Sequence, residues 1–342
     1  MRYIGGKSKL LDDIHQLVKE KVTDDSKLFL DLFSGTGCVG ESFKSQFEVY
    51  ANDQLYFSYL LCAGTLQHNT PPLFQGLQAL SVDDPIDYLN ALTPEIDSSY
   101  FIYHNYSPEG ESGRMYFTPQ NAAKIDAIRQ KIQIWFDNKK IDLDEYEYLL
   151  CALVEAVPFI SNTTGTYGAY LKHWDNRVHK PLQLEHAILT NNGKENKAFN
   201  EDAAELTKRL YVDVCYIDPP YNARQYTSNY HLLETIAHYD SPDIKGITGV
   251  RQYDKELHSR FCRKREAYCA FEEVIKKLQA KHIIVSYSSD GILSHQEIED
   301  ILQRYSVEGS YYFKPIIYNT YKSKIAGNSK VNEFLFYVEK PC

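Results

Sequence analysis

The sequence has no run of about 18 apolar residues, which removes a membrane-spanning helix from consideration. Its first residues carry Lys7 and Lys9 but no apolar stretch of the kind a secretory leader needs, so a cytoplasmic protein with no membrane partner is expected. The seven cysteines (Cys38, Cys62, Cys151, Cys215, Cys262, Cys269 and Cys342) are odd in number and scattered, with no CxxC and no His pair at zinc spacing. They read as free thiols in a reducing compartment, and no metal site is expected. Internal repeats and low-complexity tracts are absent too. Positive charge is outnumbered: 37 Lys and Arg stand against 46 Asp and Glu, and the formal net charge of −9 argues mildly against a nucleic-acid partner.

What is present points elsewhere. With 342 residues and 43% hydrophobic content, the chain can build a real core in one large domain or two ordinary ones. The basic residues it does have are clustered. Arg251 to Arg265 holds six Lys or Arg against Asp254 and Glu256, and Lys314 to Lys330 holds four lysines and no acid. Either cluster could be a solvated face. The second is interleaved with Tyr318, Asn319, Tyr321 and Asn328, a composition suited to phosphate and sugar contacts.

Four apolar runs that end in polar residues predict strands: 28–33 (LFLDLF), 47–53 (FEVYAND), 212–221 (VDVCYIDPPY) and 282–291 (HIIVSYSSDG). Helical patterns lie after Gly37, after Leu55, over 202–210 and over 271–279. This alternation predicts an α/β fold, a parallel sheet with helices on both faces. Ligands of such sheets bind at the strands' carboxyl ends, where Asp31, Asp53 and Asp218 fall. The segment 71–194 breaks the rhythm with a helical pair (121–136 and 143–157) and a stretch rich in Thr, Gly, Tyr and His. It reads as an inserted, mainly helical domain, leaving 1–70 and 195–342 as the parent domain.

Three constellations carry chemistry. Gly35, Gly37 and Gly40 form G-x-G-x-x-G behind a strand, with Asp53 ending the next strand. This suits the ribose and backbone contacts of a dinucleotide or of S-adenosylmethionine, and equally a tight turn that only needs glycine. The opening Arg2-Tyr3-Ile4-Gly5-Gly6-Lys7 offers a ring, close backbone approach and a charge, or else a flexible terminus with a helix cap at Ser8. The third is Asp218-Pro219-Pro220-Tyr221. Pro219 stiffens the turn and cannot donate, so Asp218 and the Pro219 carbonyl can grip both hydrogens of a planar amino group while Tyr221 lies against its ring. A strand ending in a proline turn with a capping Asp is the plainer alternative.

Taken together, RYIGGK, DLFSGTG, a long insertion and DPPY resemble, in that order, the alpha group of DNA N6-adenine methyltransferases, the Dam-like enzymes. The finer texture is similar to the type IIS modification methylases of the FokI kind: RMYFT (114–118), KIDAIR (124–129), AYLKHW (169–174), NEDA (200–203), DPPYNARQY running into NYHLLETIA, and IIVSYSSDG. The resemblance implies a Rossmann-like methyltransferase sheet using S-adenosylmethionine, with the inserted domain recognising double-stranded DNA and a cognate restriction endonuclease as a possible partner; a monomer is slightly favoured. It implies that Tyr3 and Lys7 contact the cofactor, that Asp31, Phe33, Gly35 and Gly37 line its methionine end, that Asp53 takes its ribose and Asp202 its adenine amino group. Asp218, Pro219, Pro220 and Tyr221 would receive the target base. Tyr3 stands where Dam-like enzymes often have Trp.

By residue type, Arg114, Tyr167, Lys172, His173, Trp174 and Arg177 of the insertion are candidates for DNA contact, as are Arg224 and Gln225 beyond the turn and Lys322 and Lys324 in the basic run. Trp174 and Tyr167 could equally be core residues. Competing readings are methylation of a cytosine N4 amino group, of RNA or of a protein amide, a nicotinamide-dependent dehydrogenase, and an inactive DNA-binding protein. No cysteine sits in a Pro-Cys loop, so the covalent chemistry of cytosine ring-carbon methylation is not expected.

Overall fold

A computed structural model describes residues 6–253, 258–318 and 331–341. Among them are nine strands: β1 (Leu28–Asp31), β2 (Glu48–Asn52), β3 (Lys197–Phe199), β4 (Tyr211–Ile217), β5 (Ile244–Lys245), β6 (Val250–Arg251), β7 (Gln279–Ser288), β8 (Tyr312–Tyr318) and β9 (Val331–Glu339). Seven form one sheet in the order β3-β2-β1-β4-β7-β9-β8. The first five are parallel, and β9 runs antiparallel to both β7 and β8. The expected Rossmann-like α/β fold is therefore present. From β1 the chain builds outward through β2 and β3, then returns to place β4 on the other side of β1. That reversal opens a crevice at the carboxyl ends of β1 and β4, where Asp31 pairs with Tyr216.

The period of two along each strand divides the sheet's faces. Phe29, Val214, Ile284 and Leu335 pack under the helices Leu11–Lys21 and Cys38–Phe43, with Ile14, Leu17 and Phe43. Their neighbours Leu30, Cys215, Ile283 and Phe336 face the helices Ala267–Lys277 and His295–Arg304, with Phe271, Val274 and Ile298. Both faces are covered, so the central strands read as almost unbroken apolar runs.

The regular structure of the inserted segment is helical, with its helices lying between Gln75 and Ile160; from 161 to 194 the only regular element is the short turn Asn176–His179. Thr118 caps the helix Pro119–Asp137, which starts on proline, and Asp142 with Glu145 forms a capping box for Leu143–Ile160. Its core is not separate, however. Leu149, Leu150, Leu153 and Val157 share one apolar cluster with Phe57, Leu60 and Leu61 of the helix Tyr56–Gly64 and with Leu232, Leu233 and Ile236 of the helix His231–His238. Buried polar groups weld the same seam. Arg129 donates to the carbonyls of Ile236, Ala237 and His238, closing that helix's carboxyl end. Glu234 accepts from the backbone N–H groups of Tyr56 and Phe57, capping the start of Tyr56–Gly64. The segments on either side of the boundaries expected at 70 and 195 thus share one apolar cluster.

No helix among the described residues is long and apolar enough to cross a membrane.

A shared core predicts shared unfolding. Both tryptophans, Trp135 and Trp174, lie in the insertion, so their fluorescence reports that segment while far-ultraviolet circular dichroism also reports the sheet. The two signals should follow one denaturation curve. Leu149→Ala, deep in the seam, should lower stability by about 2–5 kcal/mol and move both curves together.

Candidate functional site

The crevice is a cavity of about 1230 Å³ including its open mouth, lined among others by Lys7, Asp31, Phe33, Gly35, Asp53, Asp202 and Asp218. Residues far apart in sequence and separately predicted to bind a ligand are therefore brought to one place. Tyr3 lies outside the described residues, as do Lys322 and Lys324.

The glycine turn is built as its pattern suggests. Gly35 and Gly37 have φ of 53° and 75°, the left-handed region that favours glycine. Gly37 begins the helix Cys38–Phe43, and Asp31 at the end of β1 accepts from the Gly40 N–H at 3.1 Å through Oδ2. The other oxygen, Oδ1, is buried and has no hydrogen-bond partner. Burial chiefly, with Asp218 and Asp53 adding, pushes the Asp31 carboxyl up to about 7.

Asp53 is held by the turn it faces, accepting from Gly35 N at 2.9 Å and Leu55 N at 2.9 Å. Burial raises its carboxyl to about 6 against these bonds. Asn52 donates to the carbonyls of Leu32 and Glu201 and accepts from Glu201 N. It thereby draws the 200–203 loop beside β2 and brings Asp202 to the cavity. Asp202 spends Oδ1 on capping the helix Ala203–Leu206 and remains exposed.

On the other side of the crevice β4 ends at Ile217, and Asp218 begins the proline turn. Its Oδ1 lies 3.0 Å from the Lys7 ammonium. Burial first, opposed by Lys7 and reinforced by Glu333, leaves the Asp218 carboxyl at about 7. Burial works to discharge Lys7, but Asp218 and Glu333 together hold its ammonium above the usual lysine range. Pro220 lines the cavity, whereas Pro219 and Tyr221 sit just outside it. The Tyr221 ring is edge-on to Tyr287 at 5.9 Å, and Lys7 Nζ is 5.3 Å from its centroid.

A match over residues 3–301 to the D12 class N6 adenine-specific DNA methyltransferases decides the assignment. The chain belongs to that family. It is 48% identical to the type II methyltransferase M.FokI of Planomicrobium okeanokoites, over 99% of this chain and 53% of that protein. Modification methylase StsI of Streptococcus sanguinis is 42% identical, over 99% of this chain and 52% of that protein. The chain thus spans about half the length of these relatives. It matches the type II methyltransferase M.NlaIII of Neisseria lactamica at 35% identity over 99% of both chains.

Family membership does not rescue every residue singled out for DNA. Arg114 is buried, and its guanidinium donates to the carbonyls of Asn105, Gly246 and Ile247. It clamps the β5–β6 hairpin and has no outward face. Tyr167 is buried in the insertion's core, its hydroxyl on Ser161. Both are corrected to structural residues. Gln225 is half-buried and lines the cavity, where it donates to Ser259 O at 3.1 Å and accepts from Ser259 N at 2.9 Å. This reciprocal clasp fixes the segment 258–261 as a wall of the cavity, where Phe261 meets Phe33 edge-on at 5.2 Å. Lys172, His173 and Arg224 are exposed. Arg177 is half-buried, with one guanidinium nitrogen on the Thr163 carbonyl, and lines a second cavity with Phe159 and Lys180.

Sequence reasoning missed Glu333 and the Phe261 wall. The signal for Glu333 is an acid directly before the apolar run 334–338 of β9, which a buried strand tolerates only if the charge is paired.

The raised carboxyls have a consequence for stability. Asp31 and Asp218 keep their protons in the folded chain up to about 7, whereas the unfolded chain loses them near 4. The folded state then binds more protons across that window, so stability falls as pH rises from 4 to 7, by up to ~1.4 kcal/mol per pH unit for each group. Asp31→Asn keeps the acceptor for Gly40 and removes one titration. Urea denaturation at several pH values should show a shallower decline for this variant and greater stability than wild type at pH 8.

Proposed function

We propose that this chain transfers a methyl group from S-adenosylmethionine to the N6 amino group of an adenine flipped out of double-stranded DNA, as the modification component of a restriction-modification system. The observation that carries this reading is the placement of Asp218 and its proline turn in the same cavity as the Gly35 turn and Asp53. An amino-group grip thus stands opposite a nucleoside-type cradle in a member of an adenine methyltransferase family. Relatives bearing the names of modification methylases support the restriction-modification role.

The donor set fits such a cofactor. Three carboxyl groups, the buried Asp31 and the half-buried Asp53 and Asp218, face one cavity, and Asp31 Oδ1 has no partner of its own. As these acids ionise, a cationic ligand is favoured among them. Lys7, Asp31, Phe33 and Gly35 would hold its amino-acid end, and Asp53 and Asp202 its nucleoside. When bound, the cofactor supplies an electrophilic methyl group on a positively charged sulfur.

The chain's own residues supply position and charge. Flipping the base costs a few kcal/mol, of which stacking on Tyr221 would return roughly 1–3 kcal/mol. An exocyclic adenine nitrogen is a poor nucleophile because its lone pair is delocalised into the ring. Asp218 and the Pro219 carbonyl, by accepting its two hydrogens, would turn that lone pair out of the ring plane. The ionised form of Asp218 is the acceptor, so activity should fall as pH drops below about 7.

Two measurements test this reading. Long-read sequencing of DNA from cells producing the protein should show N6-methyladenine in one short motif. That signal should fall by on the order of 100-fold or more for Asp218→Ala. Tyr221→Phe should retain most of the activity that Tyr221→Ala loses; modified cytosine or unmodified DNA would reject the adenine assignment. Separately, S-adenosylhomocysteine should raise the melting temperature of wild type but not of Asp53→Ala, and NAD should raise neither.

A further inference from the structure

Glu333 is the third residue of β9, opposite Ser288 of β7 and Ile316 of β8. It is 7% exposed. A carboxylate in such a place costs several kcal/mol unless it is paired and hydrogen-bonded. Its Oε1 takes both partners, the Lys7 ammonium at 2.6 Å and the Ser286 hydroxyl at 2.9 Å. The same ammonium is 3.0 Å from Asp218 Oδ1. One buried cation thus stands between two carboxylates, nearer to the one that has no chemistry assigned. Lys7 and Asp218 line the cavity and Glu333 does not, so any effect of Glu333 on a ligand passes through Lys7 and Asp218.

The other titratable groups that face Asp218 leave this balance to the three residues. The phenols of Tyr216 and Tyr226 and the thiol of Cys38 are pushed up by burial and stay neutral near pH 7. Asp31 adds negative charge from β1. When Lys7, Asp218 and Glu333 are all ionised, their formal charges sum to −1, which suits a site that must accept one further cation.

We propose that Glu333 is a positioning residue for methyl transfer, an inference that rests on the function proposed above. By sharing the Lys7 ammonium, at 2.6 Å against the 3.0 Å from Lys7 to Asp218, it keeps Lys7 from pairing with Asp218 alone, and so leaves the Asp218 carboxylate able to accept a hydrogen bond from the substrate's amino group. Without the Glu333 charge, Lys7 would pair with Asp218 alone and compete directly with the substrate.

The test is Glu333→Gln, which preserves size. The turnover number for DNA methylation should fall on the order of tenfold, about the 1.4 kcal/mol expected of one charge-assisted hydrogen bond. The acid limb of the kcat/KM profile should move to lower pH, because Asp218 loses a neighbouring negative charge and gains a closer Lys7. In donor-free protein, the Asp218 carboxyl carbon followed by NMR, assigned with Asp218→Asn, should titrate at correspondingly lower pH. Glu333→Asp, which keeps the charge but has a shorter reach, should show a smaller shift in the same direction, and carries the test if the glutamine variant fails to fold. An unmoved Asp218 titration in the variants would overturn the inference, since a purely structural role predicts lost stability without that shift. If wild-type protein leaves DNA unmethylated, the proposed function fails, while the NMR titration still judges Glu333.

Discussion

The Lys7–Asp218 ion pair is the contact on which the arrangement of the site depends. It joins the first described turn of the chain to the carboxyl end of the central strand β4, and Glu333 brings in the far side of the sheet. An ammonium so deeply buried is tolerated only with carboxylates around it, and those carboxylates are tolerated only with the ammonium. Three segments with little mutual sequence proximity are thereby required to meet at the point where β1 and β4 part. The cavity sits there because the sheet's winding reverses there. Its negative character follows from the number of buried acids exceeding the number of buried cations.

A second set of buried polar contacts makes the insertion part of the catalytic body. Arg129 of the insertion closes the end of the helix His231–His238, and Glu234 of that helix caps the start of Tyr56–Gly64, against which the insertion packs. Asp126 does the same within the insertion, accepting from Ile102 N and Tyr103 N. Helix ends buried without such partners would leave backbone groups unsatisfied in the core. A segment anchored in this way shares packed side chains with the helices Tyr56–Gly64 and His231–His238.

Much of the fold was legible in the chain. The strands expected at 28–33, 47–53, 212–221 and 282–291 are β1, β2, β4 and β7, because strands buried on both faces are apolar almost throughout. β3 escaped notice because three residues are too few to show a period. β8 and β9 escaped because the basic residues from Lys314 onward suggested a loop, and Pro315 is unusual in a strand except at a sheet edge, which is where β8 lies. The glycine turn, Asp53 and the DPPY turn were legible since each needs a specific residue type at a specific backbone position. KIDAIR was noticed only as family texture and Arg114 of RMYFT as a candidate for DNA contact, whereas the structure gives the arginines of both internal duties. Arg114 holds a hairpin and Arg129 holds a helix end.

The sequence by itself determined the class of fold, the order of the motifs and the residue types at the candidate site. Those depend on local backbone demands and on apolar periodicity, both written along the chain. Only the tertiary structure decided which polar residues face the cavity and which are spent inside. An arginine or glutamine has the same chemistry in either setting, and its role is fixed by the carbonyls or carboxylates that folding brings within hydrogen-bond distance. For Gln225 that partner is the backbone of Ser259, and for Glu333 it is the ammonium of Lys7, 326 residues away.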